Sequence, residues 1–224
     1  MEPEPRTRTR NPERGTQNYR FHAIVDVEAS EKAGWTVVDL AHAFLDGGAR
    51  LIQLRAKRVP SGQFLRLAEV LVRDAATYGG TIVVNDRADI AALAHAGGVH
   101  VGQDDLSPSG ARRVVGNDAI VGYSTHTIEQ VQTAVREPVS YIAVGPVFQT
   151  GTKATGYQPV GLDLVSRAAA ISRGLPVIAI GGITLATVPE VLAAGATGVA
   201  VISDLLTGGT TAARIAAYCR LLAL

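Results

Sequence analysis

Arg55 and Lys57 place two cations one residue apart, just after an amide, in the run Gln53-Leu54-Arg55-Ala56-Lys57. Asn85-Asp86 and Gly102-Gln103-Asp104-Asp105 supply carboxylates, and Gly122-Tyr123-Ser124-Thr125-His126 supplies a hydroxyl and an imidazole. Thr150-Gly151-Thr152-Lys153 adds two hydroxyls and a third cation. Brought to one place, Arg55, Lys57 and Lys153 beside Asp86 and Asp105 suit a polyphosphate bridged to the carboxylates by Mg2+, which takes one or two carboxylates and completes its shell with substrate oxygens and water. At an effective dielectric near 20, each opposite-charge pair about 4 Å apart is worth roughly 4 kcal/mol before desolvation. The competing reading is a solvated charge network. A different chemistry is written in Gly181-Gly182-Ile183-Thr184 and Val201-Ile202-Ser203-Asp204. There glycines let backbone approach an anion, N–H groups at a helix start point at it, and the Ser203 hydroxyl can add a bond. A glycine pair alone equally serves a tight strand-to-helix turn.

These groups mean something only if a fold collects them. From Phe21 onward short β-branched runs alternate with stretches of helical period, the pattern of βαβ units and a parallel sheet. Strands are expected at 21–26, 50–55, 81–86, 98–103, 119–124, 141–148, 176–182 and 198–203, and helices at 37–47, 61–78, 88–96, 108–115, 127–136, 161–172, 184–194 and 210–222. Ser61, Ser107 and Thr184 are candidate helix caps, and Pro108 suits a first turn. Eight strand–helix units close a (β/α)8 TIM barrel, whose active site is built at the C-terminal ends of the strands, and seven of the eight strand ends carry the groups above. A doubly wound open sheet, the competing topology, usually has fewer strands and leaves two edges to protect.

At 224 residues the chain holds one barrel and no second domain. Its 24 glycines, about 11% against a usual ~7%, fit many tight turns. Residues 1–19 lack apolar period and are expected to form a disordered, flexible tail, leaving 20–224 as the catalytic domain. The first 20 residues carry five Arg against three Glu, so with a chain total of +1 the remainder is −1. That near-neutral body argues against a nucleic-acid partner. The longest uncharged stretch, 174–189, is 16 residues and too short to span a bilayer, so no membrane segment is expected. A lone Cys219 excludes an internal disulfide, and a cytoplasmic location is the default. Homo-oligomerisation is left open.

With those motifs in hand, the chain resembles the thiamine-phosphate synthase family from about Tyr19 through Ile202-Ser203 and the final helix. The runs Gln53–Lys57, Asn85-Asp86-Arg87, Gly98-Val99-His100-x-Gly102-Gln103-x-Asp105, Gly122-x-Ser124-x-His126, Gly145-Pro146 with Thr150-x-Thr152-Lys153, and Ala179-x-Gly181-Gly182-Ile183 follow the family's order. The first strand departs from it, ending Val25-Asp26 where the family more often shows Thr-Asp, and Gln149 and Gly151 sit in a variable loop. The resemblance implies a transferase with small-molecule substrates, joining hydroxymethylpyrimidine pyrophosphate to hydroxyethylthiazole phosphate. The products are thiamine phosphate and pyrophosphate, formed by a dissociative route through a pyrimidine-methyl cation. It implies that Asp86 and Asp105 hold Mg2+, and that Gln53, Arg55, Lys57, Asn85 and Lys153 contact the pyrophosphate or pyrimidine end. Ser124 then lies near the reacting pyrimidine, with Ser124, Lys153 and Arg55 the catalytic set. Thr150 and Thr152 line the thiazole side, while Gly182, Ile202 and Ser203 bind its phosphate. Two rivals stay open: a thiazole tautomerase of the same family, with His126 as acid/base or merely structural, and a non-catalytic thiazole-phosphate sensor. Segment 149–160, small-residue-rich and carrying Lys153, is the candidate closing loop.

Overall fold

The structure, a computed structural model, describes residues 19–150, 158–207 and 210–224. Eight parallel strands close on themselves in sequence order: β1 (Phe21–Asp26), β2 (Leu51–Arg55), β3 (Thr81–Asn85), β4 (Gly98–Val101), β5 (Ile120–Thr125), β6 (Tyr141–Val144), β7 (Val177–Ile180) and β8 (Gly198–Val201). β8 pairs with β1 through Phe21↔Val199 and Ala23↔Val201, so no sheet edge remains. Helices α1 (Val27–Lys32), α2 (Val37–Asp46), α3 (Ser61–Thr77), α4 (Ala88–Leu93), α5 (Pro108–Val115), α6 (Ile128–Ala134), α7 (Gly161–Ile171), α8 (Val188–Ala193) and α9 (Thr211–Leu221) cover the outside. A 3₁₀ turn, Ser203–Leu206, follows β8. The barrel and its strand count agree with the sequence expectation.

Successive strand residues face opposite sides, and this splits the apolar residues into two cores. Ala23, Val25, Ile52, Leu54, Val99 and Val121 face the helices and pack with Leu40, Phe44 and Leu71. The alternate row faces the lumen, where Ile24, Tyr141, Ala143, Ile178, Ala200 and Ile202 form a smaller cluster. That lumen also buries His22, Gln53, Asn85 and His100, each 5% exposed or less. The inward row that carries these polar groups ends, at the barrel mouth, in Asp26, Arg55, Asn85 and Ser124.

Several local expectations are corrected. Helix α1 was not anticipated; Asp26 Oδ1 caps it by accepting from Ala29 N at 2.9 Å, so one residue both ends β1 and starts a helix. Ser107 does cap α5, accepting from Gly110 N, with Pro108 opening the first turn. Ser61 caps nothing: Pro60 precedes α3, and Ser61 Oγ accepts from Arg87 Nη1 instead. Thr184 is not a side-chain cap either. Its N–H donates to Thr187 Oγ1, and α8 begins only at Val188, with Pro189 in its first turn. β6 stops at Val144 rather than 148 because Gly145-Pro146 interrupts the pairing, yet Val147 and Phe148 still donate to Ile180 O and Gly181 O. Tyr19, counted with the tail, packs its ring 5.5 Å from that of Tyr141; residues 1–18 lie outside the described residues. No described helix is long and apolar enough to cross a membrane.

Candidate active site

A cavity of about 310 Å3 opens at the C-terminal mouth of the barrel. It has two dissimilar walls, set by which strands supply them. On the β2–β4 side stand Arg55, Lys57, Asn85, Asp86 and Asp105; across the mouth, from the β7 and β8 ends, stand Gly181, Gly182, Ile202 and Ser203. Ser124 and Thr150 also face the cavity. Ten of the thirteen residues singled out from sequence therefore converge. Lys153 and Thr152 lie outside the described residues. Gln53 does not reach the cavity: two residues below Arg55 on the inward row, it is 4% exposed and its Oε1 is buried without a hydrogen-bond partner.

The charged wall is already internally paired. Arg55 is bonded to the Asp26 carboxylate, the two lying opposite each other in the β1–β2 register. Lys57 Nζ lies 2.5 Å from Asp86 Oδ2. Asp86 turns the chain at the end of β3 with φ +65°, a left-handed conformation that Asp tolerates better than most residues and that recurs at functional sites. Its N–H donates to His100 O at 2.7 Å, which holds the turn. Burial, together with the adjoining Asp105 carboxylate, pushes the Asp86 carboxyl above the usual carboxylate range, against the pull of Lys57. Asp105 is itself fixed by accepting from Gly102 N at 2.8 Å. Two carboxylates forced together at a cavity mouth are a hard-oxygen donor set that fits Mg2+, which needs no more protein ligands than these. No group of three or more metal-binding side chains forms among the described residues.

Behind Ser124 runs a chain of buried hydrogen bonds that sequence reasoning did not assign. His100 Nε2 is 2.8 Å from Ser124 Oγ, and His100 Nδ1 is 2.8 Å from Tyr141 Oη. The two bonds fix complementary roles for the imidazole: the tautomer protonated on Nε2 accepts from the Tyr141 phenol and donates to Ser124 Oγ, and the other reverses both. Gly122 makes room for this chain, because a Cβ there would lie 2.2 Å from the Tyr141 ring and 2.5 Å from His100 Nδ1. The polar residue at an inward position of an apolar strand, His100 between Val99 and Val101, was the available signal. His126 is tied structurally: its Nδ1 donates to Gly145 O at 2.5 Å, joining β5 to β6, while the ring faces the cavity.

The opposite wall uses backbone. Gly181 and Gly182 have φ of +95° and +67°, a region disfavoured for any residue with a Cβ. At Gly182 a Cβ would also sit 2.7 Å from Gln149 O and Phe148 Cβ. The glycines thus curl the β7–α8 loop against the segment after β6, and nothing but N–H groups and the Ser203 hydroxyl is needed to meet an anion there.

With this geometry in view, comparisons with known proteins are informative. A family model described as "Thiamine monophosphate synthase" matches residues 21–205. The chain is 43% identical over 162 residues to a thiamine-phosphate synthase of Roseiflexus castenholzii, covering 72% of this chain and 70% of that one. It is 45% identical over 179 residues to that of Koribacter versatilis, covering 79% and 84%. Among solved structures, a thiamine phosphate pyrophosphorylase from Pyrococcus furiosus superposes with a TM-score of 0.81 at 25% identity, covering 92% of this chain and 96% of that one. The ordered strand-end motifs and these likenesses agree: the chain belongs to the thiamine monophosphate synthase family.

Proposed function

We propose that the chain joins hydroxymethylpyrimidine pyrophosphate to hydroxyethylthiazole phosphate, releasing pyrophosphate and forming thiamine phosphate, as a cytoplasmic, Mg2+-dependent transferase. The observation that carries this reading is a single cavity with a cation–carboxylate wall facing a glycine-lined backbone wall. Those are two anion-binding chemistries for two phosphorylated substrates. An isomerase of thiazole phosphate alone has no use for the first wall.

The bond from the pyrimidine methylene carbon to the pyrophosphate oxygen breaks first, its electron pair leaving with pyrophosphate. The resulting cation is stabilised by the ring amino group, and the thiazole nitrogen lone pair then forms the new C–N bond. Arg55 and Lys57, with Lys153 by family correspondence, neutralise charge that grows on the departing group, the kind of preorganised electrostatic help that dominates many rate enhancements. Asp86 and Asp105 would hold Mg2+, which supplies further neutralisation of the diphosphate. Asn85 and the Ser124 hydroxyl orient the pyrimidine end, with Gln53 buried one layer below them on the inward row. Thr150 and Thr152 border the thiazole, while Gly182, Ile202 and Ser203 anchor its phosphate.

The test is direct. Purified protein given both substrates and Mg2+ is expected to form thiamine phosphate and an equal amount of pyrophosphate. Thiazole phosphate bound with no product formed would instead favour a sensor.

A further inference from the structure

We propose that Asp204 is a positioning residue that clamps both phosphate-binding loops to helix α9 and thereby sets the affinity for thiazole phosphate, an assignment that rests on the function proposed above. Asp204 directly follows Ser203 but turns away from the cavity, and it is 9% exposed. Its carboxylate collects four donors. Arg214 approaches in a fork, Nη2 at 2.6 Å from Oδ1 and Nε at 3.1 Å from Oδ2, and Tyr218 Oη donates to Oδ2 at 2.5 Å. The fourth donor, Leu185 N at 3.3 Å from Oδ2, belongs to the β7–α8 loop, three residues past Gly182.

One carboxylate therefore links the two loops that carry the backbone wall. It sits on the β8 turn that presents Ile202 and Ser203, it bonds the loop that presents Gly182, and it fastens both to α9. Few other side chains could do this, since an ionised carboxylate is acceptor-only and offers about four lone-pair sites. Its charge would ordinarily oppose an anion bound next door. The Arg214 fork cancels that charge locally, so the clamp holds the loops without repelling the phosphate. Burial and Asp204 push the Tyr218 phenol above its ordinary range, which keeps it a donor at any working pH. Tyr218 is also stacked on Phe21 with centroids 5.1 Å apart, so the backing helix is anchored to the start of β1.

A positioning role makes a prediction that a general structural role does not. In steady-state kinetics with each substrate varied, Asp204→Ala should raise KM for thiazole phosphate about tenfold, leaving kcat and the KM for pyrimidine pyrophosphate within about twofold. Asp204→Asn, which keeps shape and one acceptor oxygen, should fall between. A folded Asp204→Ala with unchanged thiazole phosphate KM, or with both KM values raised alike, overturns the proposal. If that variant does not accumulate as folded protein, Tyr218→Phe removes one of the four bonds while keeping the ring. A smaller rise confined to the same KM supports the clamp, and no rise overturns it. Calorimetric titration of thiazole phosphate separates the two readings. A wild type that makes no thiamine phosphate but binds thiazole phosphate about tenfold tighter than Asp204→Ala sinks the reaction and keeps the clamp. Equal binding sinks the clamp, and no binding to wild type sinks both.

Discussion

The two walls of the cavity bind anions by opposite means. On the β2–β4 side each cation already has a carboxylate, Arg55 with Asp26 and Lys57 with Asp86, so a ligand must compete for charges that are spoken for. On the β7–β8 side the glycines at positive φ hold the backbone in place before any ligand arrives. On the function proposed above, the difference follows what each ligand does. The pyrophosphate would gain charge as its bond breaks, and only contacts that strengthen in the transition state raise kcat; the thiazole phosphate would be unchanged throughout, so a fixed cradle that lowers KM suffices. Charged-wall variants should therefore lose turnover and backbone-wall variants affinity.

The largest effect should come from Asp105→Asn. It keeps the size of the side chain but removes one of the paired carboxylates, and a loss of about 10²–10³-fold in kcat is expected, with the thiazole phosphate KM little changed. Steady-state rates beside a thermal midpoint check this. An active, folded Asp105→Asn would take Asp105 out of the proposed metal site and dissolve the contrast between the walls.

Next in size is the buried chain behind the charged wall. Ser124→Ala and His100→Leu should each lower kcat about tenfold, and the double variant no further, because His100 acts only by directing the Ser124 hydroxyl. Additive losses would mean that His100 works on the substrate by itself.

This chain also marks where the sequence stops being readable. Strands and helices show because period 2 and period 3.6 alternate cleanly from Phe21 onward, and the strand-end motifs carry unlike residue types in a fixed order. Asp26 escaped because Val25-Asp26 reads as a strand terminus, and the helix it caps is six residues long, too short to show a period. Yet the parity of β1, with His22, Ile24 and Asp26 on one face, puts Asp26 in the same inward row as Arg55. Gln53 was placed at the ligand because it adjoins Arg55 in its motif; a closed barrel buries whatever lies one layer lower. Contacts between distant strands, such as Tyr141 with His100, leave no local pattern at all.

A smaller effect should separate the walls from the other side. Ser203→Asp sets a carboxylate against the anchored phosphate and should raise the thiazole phosphate KM by about tenfold, with kcat at saturation nearly intact. Varying each substrate in turn resolves this, and an equal rise for pyrimidine pyrophosphate would mean that the two anions share one cradle.

The smallest effect lies on the barrel floor and should leave both walls alone. His22 is 1% exposed, wedged with its ring 4.6 Å from that of Tyr141, and its Nε2 has no hydrogen-bond partner. Burial pushes its pKa from 6.5 down to about 3. The native imidazole thus stays neutral where the unfolded one takes up a proton, so between about pH 6.5 and pH 3 the unfolded state binds more protons and stability falls as pH falls. Above pH 6.5 both states are neutral and the contribution is flat. At pH 5 the loss amounts to about 2 kcal/mol from this one group. Denaturant unfolding of wild type and His22→Gln at pH 7 and pH 5 should show the variant losing about 2 kcal/mol less over that interval, while kinetic constants at pH 7 stay alike. Parallel pH curves for the two proteins would mean that the His22 ring accepts a proton inside the folded barrel.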